Sequence, residues 1–236
     1  GRPLVAIDLP GHGHSDGPRD RDQAIDPVSA AEDVAVAVRA LAPRAAAVVG
    51  MSFGGLTAVA LAAHAPELVR RLVLVDVMPG LKAERADHIR AFVNGPLTFD
   101  SFDDLLARTI EFNPTRSVSS LRRGILHNAL QLDDGRWVWR HARWRLDRAE
   151  QAEAAQPVPE RPGPDLVDAL ARVEVPVMLA RGMRASSVLR DEDEERLRQL
   201  HPGASVVRFE EAGHSIQGDM PVELAGAIGD FVPVPA

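Results

Sequence analysis

Val48-Val49-Gly50-Met51-Ser52-Phe53-Gly54-Gly55 decides how the rest of the chain is read. The apolar run before it, 45–49, predicts a buried strand, and the run 53–63 predicts a helix. Between them lies Gly-x-Ser-x-Gly, spelled Gly50 to Gly54. A turn from strand to helix in so few residues forces its middle residue, Ser52, into a strained backbone conformation. It also leaves no room for a Cβ at the flanking glycines. The serine hydroxyl then stands at the carboxyl end of a sheet, beside a helix N-terminus. The amide of Phe53 is placed there to donate to an oxyanion. The five-residue pattern alone recurs by chance, so its specificity comes from the strand on one side and the helix on the other.

Toward the N-terminus, Leu4-Val5-Ala6-Ile7-Asp8 is an apolar run of the parallel-strand type. It runs into Leu9-Pro10-Gly11-His12-Gly13-His14-Ser15-Asp16, a glycine-rich loop that Asp8 and Ser15 are expected to tie to its own amides. His12 and His14 lie two apart in a turn with no third ligand nearby, which favours a structural reading over a metal site. Asp26 and Pro27 then open a helix as N-cap and first residue. Ala31, Val34, Val38 and Leu41 recur on its buried face. His64, at the end of the helix after Ser52, suits the helix dipole and is given no catalytic role. A further strand, 71–75, ends in Asp76. Strand and helix alternating in this way predict right-handed parallel crossovers and a doubly wound α/β sheet.

From Pro79 to about Pro164 the alternation stops. Helical patterns cover 81–93, 102–112 and 121–132, and all three tryptophans fall in this insertion. Trp137 and Trp139 alternate as on a strand, so both face one side. The stretch 156–164 is rich in proline and reads as a stiff return linker. The sheet then resumes with strands at 175–181 and 205–210, separated by a charged helix at 191–200. Asp191 suits the N-cap of that helix. The last strand leads to Glu211-Ala212-Gly213-His214-Ser215-Ile216, and a helix at 220–231 closes the chain. The expected organisation is a core of residues 1–78 and 165–236 with a helical insertion of residues 79–164.

The 236 residues suffice for one large α/β domain. A net charge of -7 argues against nucleic acid or an anionic membrane as the main partner. No apolar run approaches the roughly 20 residues that span a bilayer. No cysteine is present, which excludes disulfides, thiolate catalysis and zinc–thiolate sites within these residues. No signal-peptide pattern opens the sequence, and a cytoplasmic location is the expectation.

The Gly50–Gly54 turn, the Asp8–Ser15 loop and the Gly213-His214 loop together resemble the α/β-hydrolase superfamily, nearly from end to end. The resemblance implies a serine nucleophile, a histidine base and an acid in that order along the chain. Ser52 and His214 take the first and last places. The family's common acid position lies in the loop after the strand ending near Arg181, which here reads Gly182 to Arg190 without a carboxylate. Two candidates remain, and the expected acid is Asp76, at the preceding strand end as in haloalkane dehalogenases, with Asp191 as the alternative. Those dehalogenases carry Asp where Ser52 stands here, which disfavours their chemistry. The resemblance also implies a helical cap formed by the insertion, with Trp137 and Trp139 lining an acyl pocket or packing a satellite core. Met51 and Phe53 would wall the site, and the Phe53 amide would receive the oxyanion.

A second oxyanion donor ordinarily comes from a loop after the family's third strand, whereas Gly1 falls near the fourth. Either residues before Gly1 carry it, or the strands at 4–8 and 45–49 pair directly. Hydrolysis of a small carboxylic ester is the implied activity, with no cofactor or metal. Lactonase, carbon–carbon bond hydrolase and perhydrolase chemistry on the same residues stay open. So does a non-catalytic binding protein of this fold.

Overall fold

The computed structural model describes residues 3–18, 25–114, 116–151 and 165–232. Along the chain the elements are α1 (Pro27–Leu41), β1 (Val48–Met51), α2 (Phe53–His64), β2 (Leu72–Val75), α3 (Asp87–Val93), β3 (Thr98–Phe99), α4 (Phe102–Phe112), α5 (Val118–Asn128) and β4 (Ala129–Gln131). They continue with β5 (Trp137–Trp139), α6 (Arg140–Gln151), α7 (Leu166–Ala171), β6 (Val177–Gly182), α8 (Asp191–Leu200), β7 (Ser205–Phe209), α9 (Ile216–Asp219) and α10 (Pro221–Phe231). Two compact units result. One comprises Gly1–Ile7, Asp26–Arg85 and Pro162–Ala236; the other comprises Asp8–Ile25 and Ala86–Arg161. No described helix is long and apolar enough to cross a membrane.

The first unit is built on a parallel sheet in the order β1-β2-β6-β7. Its strands are short apolar runs because both faces are covered. On one face Val73, Val75, Met178, Ala180 and Phe209 pack with Ile216 of α9 and Leu224 of α10. Alternation places Leu72, Leu74, Val177 and Leu179 on the other face, where all four are fully buried. Helix α1 starts where its sequence predicts. The Asp26 carboxylate accepts from the amides of Val28 (2.8 Å) and Ser29 (3.0 Å), with Pro27 in the first turn. Its Ala30, Ala31, Val34, Ala35 and Val38 are buried, and it packs on α2. Leu41, expected on that face, is 65% exposed, because it is the last helical residue and lies past the contact.

The run at 4–8 does not form the strand its composition predicts. It pairs with no strand among the described residues, Leu4 is 88% exposed, and β1 has a ladder only toward β2. The direct pairing of 4–8 with the strand before Ser52 is therefore not formed. An apolar run becomes a strand only where a neighbour takes up its backbone groups.

Helix α8 opens at Asp191 with Arg190, not Asp191, as N-cap. It carries Glu194, which is 1% exposed. Burial alone raises the pKa of this carboxyl. Hydrogen bonds from Arg208, Arg181 and Arg198 outweigh that and bring it down to about 2. Arg181 of β6 lies 2.8 Å from it and Arg208 of β7 lies 2.8 Å from it, so one carboxylate clamps the helix to two strands. Removing one partner of such a buried cluster leaves an uncompensated charge.

In the second unit an antiparallel sheet, β3-β5-β4, joins α4 and α5 around Leu105, Leu121, Ile125 and Val138. Helix α4 has the predicted bounds. The helix expected over 121–132 instead ends at Asn128, and residues 129–139 form a hairpin. Its turn closes through Leu132 N to Arg136 O (2.7 Å) and Arg136 N to Asp134 Oδ1 (3.0 Å). The loop after Asp8 is tied as expected: Ser15 Oγ donates to Asp8 O (2.7 Å), and His14 N donates to Asp8 Oδ2 (3.0 Å). The His12 ring stacks on His141 at 6.2 Å, and His141 stacks on Trp139 at 6.0 Å. The linker at 156–164 lies outside the described residues.

Burial, then the nearby charges of His12 and Arg145, lower the His141 pKa from 6.5 to about 4. Between those values the unfolded chain binds a proton that the folded chain does not, so stability falls as pH drops from about 6.5 to about 4. The expected loss is on the order of 2–3 kcal/mol. Urea unfolding across that pH range should show the loss in the native protein and a smaller one in His141→Phe. Equal pH slopes would contradict this account.

Candidate active site

Two neighbouring strands of the parallel sheet end in Ser52 and Asp76, the expected nucleophile and acid. Ser52 follows β1, and its amide donates to Val75 O at 3.3 Å. Asp76 follows β2, and its amide donates to Ala180 O at 2.8 Å. Met51 pairs with Val75, so Ser52 and Asp76 hold equivalent places, one strand apart, at the carboxyl edge. They are also the two non-glycine residues with positive φ among those described, at 50° for Ser52 and 45° for Asp76. Such conformations cost of order 1–3 kcal/mol each and persist only where surrounding structure imposes them. At Ser52 the imposition comes from Gly50. A Cβ there would lie 2.3 Å from Gly54 O and 2.6 Å from Gly55 Cα. Strand and helix thus touch through backbone alone. Ser52 precedes α2 but makes no capping hydrogen bond, unlike most serines in that place.

The Asp76 side chain is fully buried. Oδ1 accepts from Gly182 N at 2.9 Å and Ser187 Oγ at 2.7 Å. Oδ2 accepts from Val188 N at 3.1 Å and meets His214 Nδ1 at 3.0 Å. A carboxylate with three other donors offers His214 only an acceptor, so Nδ1 carries the ring proton. The neutral ring therefore presents a bare lone pair at Nε2. Nε2 is buried and has no hydrogen-bond partner among the described residues. Most buried polar atoms are paired, and an unpaired one calls for a chemical reason.

The loop carrying His214 is tied to α9, where Gly213 N donates to Asp219 Oδ2 (2.9 Å), and to the loop after β6, where Arg184 N donates to Ala212 O (3.0 Å). A Cβ at Gly182 would sit 2.2 Å from Gly213 O, so the two backbones meet there without a side chain between them. Asp76 holds the ring, and these backbone contacts hold the loop that carries it.

Asp191 stands apart from this cluster. It pairs with Arg181 at 2.7 Å, and its side chain is 92% exposed. Phe53 is the first residue of α2. Met51 packs against the sheet cluster of Val73 and Val75. Trp137 and Trp139 belong to the second unit and pack within it, Trp137 edge-on to Phe102 and Trp139 edge-on to Phe92. His12 bonds the Pro10 carbonyl, and His14 faces Asp8. Among the described residues no group of three or more His, Asp or Glu is placed to hold a metal ion. Sequence reasoning missed Ser187, Val188 and Asp219. Backbone donors leave no mark in a sequence, and the pair Ser186-Ser187, in a loop without carboxylates, was the only signal of a hydroxyl standing there.

Residues 1–221 match the family described as alpha/beta hydrolase fold. Esterase Rv0045c of Mycobacterium tuberculosis is 41% identical over 232 residues, which is 95% of this chain and 72% of that protein. Its crystal structure superposes with a TM-score of 0.73, covering 94% of this chain and 72% of that one. The 2-(acetamidomethylene)succinate hydrolase of Mesorhizobium japonicum is 29% identical over 229 residues, 97% of this chain and 77% of that protein.

The backbone contact at Gly50 carries its own test. Gly50→Ala should destabilise the protein by about 1–3 kcal/mol, since no flexible side chain can move out of the way. A chemical-denaturation midpoint unchanged from the native protein would refute that contact.

Proposed function

The chain belongs to the α/β-hydrolase fold family, and from that premise we propose that it is a serine esterase working through an acyl-enzyme. The observation that carries the reading is the His214 ring, fixed by Asp76 at one nitrogen and buried at the other without a partner among the described residues. Ser52 is the nucleophile. Its hydroxyl is weak at neutral pH until a base removes the proton, and His214 Nε2 is that base. As Oγ attacks the ester carbonyl, the proton passes to Nε2. Asp76 then faces an imidazolium, whose charge it stabilises without taking the proton. The carbonyl oxygen becomes an oxyanion, received by the Phe53 amide at the start of α2. His214 returns the proton to the departing alkoxide. Water, activated by the same nitrogen, releases the acid from Ser52. The similarity to an esterase over most of its length supports an ester as the substrate class.

A fluorophosphonate probe should label the native protein and leave Ser52→Ala unlabelled. With a p-nitrophenyl ester, Asp76→Asn should lower kcat by about 1,000- to 10,000-fold, through loss of the ring's tautomer and charge partner. Asp191→Asn should stay within about twofold of native, because its carboxylate faces Arg181. Labelling of Ser52→Ala, or a larger loss in Asp191→Asn than in Asp76→Asn, would defeat the assignment.

A further inference from the structure

We propose that Ser187 is a positioning residue for the reaction, acting through Asp76; this rests on the serine-esterase reading above. Three groups besides His214 donate to the Asp76 carboxylate, and two of them, Gly182 N and Val188 N, are backbone. Among the described residues Ser187 supplies the only side chain on it besides His214. Its Oγ donates to Oδ1 at 2.7 Å and accepts from Leu189 N at 3.1 Å, so its proton has one direction to point. The residue is 3% exposed. Its own backbone is fixed twice over. Its amide donates to Arg184 O at 2.9 Å, and its carbonyl accepts from Arg190 Nη1 at 2.6 Å. The same Arg190 nitrogen also reaches Leu189 O at 2.7 Å, clamping the loop from outside.

A carboxylate on one rotatable bond can turn either oxygen toward a histidine. Here Gly182 N and Ser187 Oγ both claim Oδ1, which leaves Oδ2 for His214. Losing the hydroxyl leaves one amide on each oxygen, Gly182 N on Oδ1 and Val188 N on Oδ2, which loosens the carboxylate and concentrates its negative charge on the remaining partners. The first effect spoils the alignment of the ring. The second strengthens the pull on the His214 proton and raises the pH at which the base becomes neutral.

The test compares native protein, Ser187→Ala, Asp76→Asn and the double variant on a p-nitrophenyl ester, with fluorophosphonate labelling alongside. Ser187→Ala should lower kcat about 10- to 100-fold, the range of a hydrogen bond to a charged group, with KM within about twofold. The acid limb of its kcat/KM profile should move to higher pH. In the Asp76→Asn background the same change should cost less than about twofold, since the effect passes through the missing carboxylate. Where Ser187→Ala does not fold, Ser187→Cys, a weaker donor of similar shape, should lower kcat in the same direction.

A kcat within twofold of native in the folded variant, an unmoved acid limb, or an equal penalty with and without Asp76 overturns the proposal. So does failure of both variants to fold, which makes Ser187 a residue of the fold alone. Native protein that neither labels nor hydrolyses refutes the esterase reading instead.

Discussion

The structure turns on one buried carboxylate. Asp76 sits at a strand end with no access to water, and burying an ionised acid costs several kcal/mol unless its oxygens are occupied. Four donors occupy them. Each hydrogen bond to a charged group returns about 1.5–3 kcal/mol, enough together to offset that cost. The requirement reaches outward from there. The end of β6 supplies Gly182, the loop after it must fold back to bring Ser187 and Val188 onto the acid, and the loop after β7 must bring His214. The close approach of Gly182 to Gly213 holds those two loops together.

A second buried acid does a different job by the same physics. Glu194 is surrounded by Arg181, Arg198 and Arg208, all of them permanently charged, and binds α8 to β6 and β7. Asp76 is surrounded mainly by neutral donors and by a ring that can gain or lose a proton. The arginine cage pins structure. The set of neutral donors leaves the charge of Asp76 available to the histidine. Arg190 joins the helix of Glu194 to the loop over Asp76: its amide donates to Asp193 Oδ2 at 2.8 Å, and its guanidinium holds the Ser187 carbonyl at 2.6 Å.

Much of this was legible in the residues. The strand–serine–helix turn, the histidine loop and the parallel sheet follow from local pattern, because backbone strain, glycine placement and apolar runs are properties of neighbours in sequence. The acid was legible only in part: Asp76 was the expected one, with Asp191 as the alternative, since both carboxylates satisfied the same spacing. Only the fold shows Asp191 on Arg181 and Asp76 on His214. Two errors have the same origin. The run at 4–8 has a strand's composition but no partner strand among the described residues. The stretch after Asn128 kept an apolar spacing compatible with a helix, yet its Asp134-Gly135 turn and the Trp137-Val138-Trp139 alternation were hairpin signals that deserved more weight. Trp137 and Trp139 do share a strand, and each packs on a ring of its own unit.

Asp76 is rooted in the sheet, whereas the segment that surrounds it supplies mostly main-chain amides. Amides are indifferent to the side chains attached to them. The exposed positions of the covering segment, Ala185 and Ser186, can therefore change while the charge it shelters stays where it is, whereas Ser187, Val188 and Leu189 are buried. A fold arranged this way separates what must be inherited from what is open to change. New surface chemistry can arise at those exposed positions without disturbing Asp76 or His214.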